Sequence, residues 1–197
     1  MIVVDVETTG LDPRRHSIVS IGAVEFENPG NQFYKECRAW SGSEISDEAV
    51  KVNGFTREQV TDINKPSPGL TTCEFLDWSK TCKEITLAGH NIRFDYSFLK
   101  ESFEKYSKDS WPFGYRTVDV HSICYAHYIA NGITIPVKDK KSNISLDAAL
   151  VYVGMPPEPM PHNALTGAKA GAEVLSRLVY GKVLFPEYSQ YAIPGFI

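Results

Sequence analysis

The chain has 197 residues, of which 43% are hydrophobic and 22% are charged, and its formal net charge is −4 at pH 7. This length suits one domain with a sizeable core, and the negative charge argues against a protein that coats nucleic acid through bulk electrostatics. No apolar run approaches the ~20 residues that a membrane-spanning helix needs, and no basic leader precedes the first apolar run. The four cysteines lack metal-binding spacing. These features predict a cytoplasmic protein without membrane contact.

Strands are predicted first along the chain. The apolar run Met1–Val6 predicts a central strand, and Ile18–Phe26 predicts a second one. Asn28–Asn31 carries the residues of a tight hairpin turn, and Gln32–Ala39 predicts a third strand. The sheet is therefore expected to begin with antiparallel strands.

Helices and short strands then alternate. A cap-like Ser46 and the capping-box spacing of Thr56 and Gln59 mark two short helices. Further helices are predicted at Pro68–Cys82, Phe94–Tyr106, Asp119–Ala130, Ser145–Val153 and Asn163–Tyr180, with short strands at Ile85–Gly89 and Thr117–Val118 and a polar loop at Asn131–Asn143. This order predicts an α/β fold with a mixed sheet and helices on its faces. Residues 1–182 are expected to form the domain, and residues 183–197 a tail that packs on the domain or on a partner.

The first strand ends in two acidic residues. Asp5 and Glu7 are two positions apart, so both side chains point to the same face of the strand. Ligands of open α/β sheets bind at the carboxyl ends of strands, and paired carboxylates there suit hard divalent cations. From the spacing alone, a solvated strand end is an equally good interpretation.

Two residues further along the chain could complete such a site. Asp95 stands at the start of a predicted helix, where an acid is often only a cap. His162 follows the proline-rich segment Pro156–Pro161, which cannot form a regular helix. Histidine exchanges protons near neutral pH and suits a general base, although a lone histidine is more often an ordinary surface residue.

The order of these residues resembles a known family. Three segments, Val4–Leu11, Gly89–Leu99 and His162–Leu165, closely resemble the three exonuclease motifs of the DnaQ-like (DEDDh) 3′–5′ exonucleases. The resemblance runs from residue 2 to about residue 180. It implies a ribonuclease H-like fold with a mixed five-stranded sheet flanked by helices, and a metal-dependent nuclease that releases nucleoside 5′-monophosphates.

The family's roles can be carried onto matching positions. By this resemblance Asp5 would bridge two divalent cations, Mg²⁺ or Mn²⁺, while Glu7 and Asp95 would each hold one. His162 would deprotonate the attacking water. The residues expected to seat the terminal nucleotide are Thr8, Thr9, Gly10 and Leu11, with His90, Asn91 and Phe94 lining the same pocket.

The expected substrates are 3′ ends of single-stranded DNA or RNA, and the sequence does not choose between the two. Members of the family include dimers and polymerase subunits, so a second copy of the chain and a polymerase are both open as partners. No segment identifies the surface that either would use.

Gly167 departs from the family pattern. The family has an acidic metal ligand five residues after the histidine, and here that position is a glycine. Glu173 lies well off the same helix face, and Asp119 and Asp147 belong to other segments, so no replacement is evident. The sequence predicts an impaired exonuclease. Two alternatives are a non-catalytic nucleic-acid-binding relative and a hydrolase of small phosphodiesters.

Overall fold

The structure, a computed structural model, describes residues 1–195. Five strands form one mixed sheet in the order β3-β2-β1-β4-β5: β1 (Ile2–Thr8), β2 (Ile18–Glu25), β3 (Asn28–Glu36), β4 (Leu87–Gly89) and β5 (Val118–Asp119). The first three strands pair antiparallel, whereas β4 runs parallel to β1 and to β5. The predicted α/β class and five-stranded mixed sheet are confirmed.

Seven α-helices surround the sheet within residues 1–195: α1 (Asp47–Asn53), α2 (Arg57–Thr61), α3 (Pro68–Ser79), α4 (Arg93–Tyr106), α5 (Val120–Ala130), α6 (Leu146–Tyr152) and α7 (Ala164–Tyr180). A short 3-10 helix follows at Pro186–Tyr188. Alternation along β1 separates two cores, because Val3 packs toward α5, α6 and α7 while Val4 and Val6 pack toward α3 and α4. The same alternation turns Asp5 and Glu7 toward the α7 side. Over this part of the chain, no helix has the length and apolar character needed to cross a membrane.

Helix α7 crosses the sheet at close range because small residues lie at the contact. A Cβ added to Gly22 of β2 would lie 2.1 Å from the carbonyl carbon of Ala164, so only glycine allows this approach. About two turns further on, a Cβ on Gly171 would lie 3.6 Å from Val3 Cγ1. The start of α7 is therefore held against β1 and β2, next to the acidic residues of β1.

Two local predictions are wrong. The hairpin turn lies at Phe26 and Glu27 rather than at Asn28–Asn31, since Glu25 already pairs with Asn28 after a register shift. Pro29 is tolerated inside β3 because β3 is an edge strand, which needs no hydrogen bond from every backbone nitrogen. The predicted loop at residues 131–143 contains a small hairpin of two further strands, β6 (Val137–Lys138) and β7 (Lys141–Ser142).

The segment after α7 returns to the domain. The fully buried Glu173 accepts hydrogen bonds from the backbone nitrogens of Leu184 at 2.9 Å and Phe185 at 3.0 Å. Its ion-pair partner Arg177 donates to the carbonyl of Tyr188 at 3.0 Å. This buried pair ties the tail to α7. Residues 196 and 197, the end of the predicted tail, lie outside the described residues.

Candidate active site

The carboxylate of Asp5 lies against the first turns of α7. A Cβ built on Gly167 would lie 2.6 Å from Asp5 Oδ2 and 2.9 Å from Asp5 Cγ. Position 167, where the family has its fourth acid, therefore faces the carboxylate that the sequence predicts as the central ligand. The structure brings these two positions together and leaves one of them without a side chain.

Asp95 joins the same site from α4. Its side chain is only 2% exposed, and its Oδ1 accepts a hydrogen bond of 3.0 Å from the backbone nitrogen of Val6. Val6 stands between Asp5 and Glu7 on β1, so this bond fixes the third carboxylate at the acidic end of the strand. Burial raises the pKa of Asp95 to about 8, against the opposing effect of the Val6 hydrogen bond.

The carboxylates repel one another. Burial, followed by the charges of Asp95, Glu7 and Glu158, raises the pKa of Asp5 well above its ordinary value. Burial and the charge of Glu158 raise the pKa of Glu7 to about 7. We call Asp5, Glu7, Asp95 and Glu158 the acidic cluster. A bound divalent cation would relieve both the repulsion and the burial cost of these charges.

The donors of the acidic cluster are of the kind that Mg²⁺ and Mn²⁺ prefer, since all are carboxylate oxygens. Within the described part of the chain, however, no three His, Cys, Asp or Glu side chains are already drawn together as a metal-ligand set. The chemistry of the site therefore fits a hard cation, and its side chains would have to converge on the ion.

His162 is held beside the cluster by its backbone. Its nitrogen donates to the carbonyl of Val52 at 3.1 Å, at the carboxyl end of α1. Gly54 follows that helix with φ of +73°, and a Cβ there would lie 2.5 Å from Pro161. Glycine at 54 therefore allows the segment that carries His162 to dock. The charge of His162 lowers the pKa of Glu158, which burial raises more strongly, so the two side chains are near neighbours.

A cavity of about 520 Å³ opens beside Glu7. Of the seven residues predicted to seat the nucleotide, four line it: Thr8, Gly10, Leu11 and Phe94. Asn91 lines an adjoining cavity of about 420 Å³ that shares Leu11 and Phe94 with the first. The other two predicted residues lie elsewhere. Thr9 is buried, with its hydroxyl donating to Glu44, and the ring of His90 packs 6.1 Å from that of His121.

The acids that the sequence analysis considered as replacements have other roles. Asp119 caps α5 and accepts from the nitrogen of Ile92, and Glu173 is paired with Arg177. Glu158, within the proline-rich loop (residues 156–161), belongs to the acidic cluster but is not among the predicted site residues. The available signal was that it is the single acid in that loop, only four positions before His162.

The order of the mixed sheet, with Asp5 and Glu7 on β1 and Asp95 on α4 beside them, is that of a ribonuclease H-like fold. Among solved structures, the nuclease domain of 3′hExo, a DEDDh family member bound to rAMP, superimposes with a TM-score of 0.69 at 19% identity, covering 93% of each chain. Escherichia coli exonuclease I in complex with an oligonucleotide has a TM-score of 0.71 at 19% identity, covering 91% of this chain and 41% of its own.

The sequence model of the RNase_T exonuclease family matches residues 2–175, and the chain belongs to this family. One curated relative is the 3′-5′ DNA exonuclease Cap18 of Escherichia coli, 29% identical over 182 residues, which are 90% of each chain. Another is the PolC-type DNA polymerase III of Thermotoga maritima, 30% identical over 180 residues, of whose length the chain spans 12%. The predicted DnaQ-like exonuclease assignment is confirmed, and this family implies divalent metal ions.

Proposed function

We propose that this chain removes nucleotides from the 3′ end of single-stranded DNA by metal-dependent hydrolysis, releasing nucleoside 5′-monophosphates. The observation that carries the proposal is the hydrogen bond from Val6 to Asp95, which fixes a third carboxylate beside Asp5 and Glu7. DNA is favoured over RNA because the relatives that match most of this chain are named as a DNA exonuclease and a DNA polymerase. RNA stays as the second arm of the test.

The chain's own residues would act in fixed roles. Asp5, Glu7 and Asp95 would hold Mg²⁺ or Mn²⁺, with two ions as the number that the family resemblance implies. At these residues, bound cations would supply charge stabilisation for the attacking and leaving oxygens at phosphorus. His162 would take one proton from the attacking water. The oxygen of that water would bond to the phosphorus of the terminal nucleotide while the bond from this phosphorus to the O3′ of the preceding nucleotide breaks. The O3′ would take a proton from solvent, which leaves a 3′-hydroxyl on the shortened strand.

The cavity beside Glu7 would receive the terminal nucleotide. Its volume of about 520 Å³ lies within the usual range of small-ligand sites. Phe94 lines both adjoining cavities, and Leu11 is 83% exposed at their shared border. An aromatic face at this position can stack on a base, worth about 1–3 kcal/mol regardless of sequence. We therefore expect little base specificity.

Because residue 167 is a glycine, the site lacks one of the acidic ligands that the family resemblance implies. We therefore expect weaker metal binding and slower turnover than in a relative that has an acid at this position. Loss of even an outer partner of a metal ligand typically costs ~10–100-fold. This shortfall also favours the second candidate function, a non-catalytic protein that binds strand ends. That candidate predicts equal DNA binding with Mn²⁺ and in chelator, whereas the exonuclease binds its substrate more tightly with Mn²⁺.

The test is release of mononucleotides from matched single-stranded DNA, duplex DNA and RNA, each labelled at the 3′ end, with Mn²⁺. We expect release from single-stranded DNA, a loss of at least ~100-fold in Asp5→Asn, and a large loss in His162→Asn. Asp139→Asn, in the turn between β6 and β7, is the charge-matched control. Unchanged release by Asp5→Asn, or none by the unmodified chain, would overturn the proposal.

The polymerase relatives favour a DNA polymerase over a second copy of the chain as the partner. Light scattering of the purified chain distinguishes the two proposals, because a self-associating chain has twice the monomer mass. A monomeric chain that binds a polymerase subunit would support the polymerase as the partner.

A further inference from the structure

The proline-rich loop holds Glu158 rigidly. Pro157 and Pro159 flank it and fix the backbone on both sides. Its own nitrogen donates to Asp147 Oδ1 at 2.9 Å, in the first turn of α6. The side chain is thus presented from a fixed backbone rather than from a free loop.

One oxygen of this side chain is buried without a hydrogen bond. Glu158 Oε1 has no partner among the residues that the structure describes, although the carboxylate accepts a hydrogen bond from the backbone nitrogen of Asn163. The charged groups that face the carboxylate are Asp5, Glu7 and Asp147, which are negative, and His162. An unpaired buried carboxylate oxygen among like charges is costly, and a cation is the ligand that removes the cost.

The space at position 167 explains why this acid would come from the loop. The Asp5 carboxylate already occupies the region where a side chain on Gly167 would begin, at 2.6 Å from the built Cβ. An acid on α7 could enter only if Asp5 moved. Glu158 belongs to a different segment, and its charge already acts on Asp5 and Glu7 with Asp5 in its present position.

We propose that Glu158 is the fourth acidic metal ligand of this chain, taking the place of the acid that the family has at position 167. This inference rests on the proposed function, because it assumes that Asp5, Glu7 and Asp95 bind divalent cations. It assigns the metal-binding role to a residue outside the family's motifs. The site is then complete in number of carboxylates, with one of them supplied by the loop that carries His162.

Calorimetric titration of the full chain with Mn²⁺, without nucleic acid, tests the inference. We expect Glu158→Gln to bind Mn²⁺ at least ~10-fold more weakly, and Glu158→Asp to fall between that variant and the unmodified chain. Glu104→Gln is the matched control, since Glu104 is an exposed acid on α4 and should leave the affinity unchanged. Thermal unfolding in chelator provides a second measurement. There Glu158→Gln should melt higher than the unmodified chain, because it removes a repelling charge.

Equal Mn²⁺ affinity of Glu158→Gln and the unmodified chain would overturn the inference. If that variant changes only the pH profile of nucleotide release, Glu158 orients His162 instead, and the inference is again rejected. The proposed function fails separately. If the chain binds Mn²⁺ through Glu158 but releases no nucleotide, Glu158 remains a metal ligand and the exonuclease function is rejected. If the chain releases nucleotides and Glu158→Gln binds Mn²⁺ with unchanged affinity, the exonuclease function stands and the role of Glu158 as a ligand is rejected.

Discussion

Substituting aspartate for Gly167 would restore the family's acid while crowding Asp5. The new Cβ would lie 2.6 Å from Asp5 Oδ2, closer than non-bonded atoms approach, so Asp5 must rotate away. Gly167→Ala introduces the same Cβ without charge. Gly171→Ala is the matched control in the same helix, since its Cβ would meet Val3 at an ordinary 3.6 Å. The three variants separate helix propensity, crowding and charge.

Each contribution can be given a size. Replacing a helical glycine by alanine stabilises by about 1 kcal/mol, so Gly171→Ala should raise the free energy of unfolding by that amount. Crowding costs about 1–3 kcal/mol, which makes Gly167→Ala neutral to mildly destabilising. A further carboxylate about 4 Å from another costs up to about 4 kcal/mol at an effective dielectric of 20, and the helix amino terminus offsets less than about 1 kcal/mol.

In chelator at pH 7.5, Gly167→Asp should therefore be about 2–4 kcal/mol less stable than Gly167→Ala. For a domain of this size the melting temperature falls by roughly 5–15 °C. Saturating Mn²⁺ should narrow this gap, because a 100-fold excess over the dissociation constant adds about 2.7 kcal/mol to a variant that binds the ion. Circular dichroism melts with and without Mn²⁺ measure both effects. If Gly167→Asp melts as high as Gly167→Ala in chelator, the carboxylates at this site do not repel as described.

Three further results are expected. In chelator, burial holds a proton on Asp95, whose folded pKa of about 8 exceeds its unfolded value near 4. The contribution of this protonated carboxyl to stability is complete below about pH 4 and is lost as the pH rises toward 8. The free energy of unfolding, measured with urea, should therefore fall between pH 5 and pH 8.5 by up to about 1.4 kcal/mol per pH unit. A rise over this range would contradict the prediction. Arg177→Met leaves the charge of Glu173 buried and unpaired, and should cost about 3–5 kcal/mol in chemical denaturation, with a cost below 1 kcal/mol rejecting this role. Gly54→Ala should slow nucleotide release by displacing the histidine-bearing segment, whereas Gly132→Ala, with a similar φ of +66° but open space around its Cβ, should not.

Local signals in the sequence predicted much of the fold. The serine before α1 accepts from the nitrogen of Ala49, and the capping box of Thr56 and Gln59 forms as its spacing indicates. Apolar runs located β1 and β2 because both strands are buried on both faces. In each case the information lies within a few residues of the feature, so a single sequence carries it.

Features that depend on distant contacts could not be predicted in the same way. The turn at Phe26 and Glu27 is set by the pairing of β3 with β2, whereas the turn signal in the sequence lies at residues 28–31. The position of Glu158 depends on a hydrogen bond to Asp147, eleven residues away on another element. Its place as the single acid of the proline-rich loop, four positions before His162, is only a weak signal, since an exposed loop acid can show the same pattern.

The loss of an acid at position 167 need not loosen the fold, because α7 is anchored independently of the acidic cluster. Its start is packed on β2 through Gly22, and its carboxyl half is fixed by the fully buried ion pair of Glu173 and Arg177. Neither contact uses a carboxylate of the proposed metal site. Substitutions at Asp5 or Glu158 should therefore change metal binding and turnover in a chain that stays folded, which makes the chemistry of this site separable from its architecture.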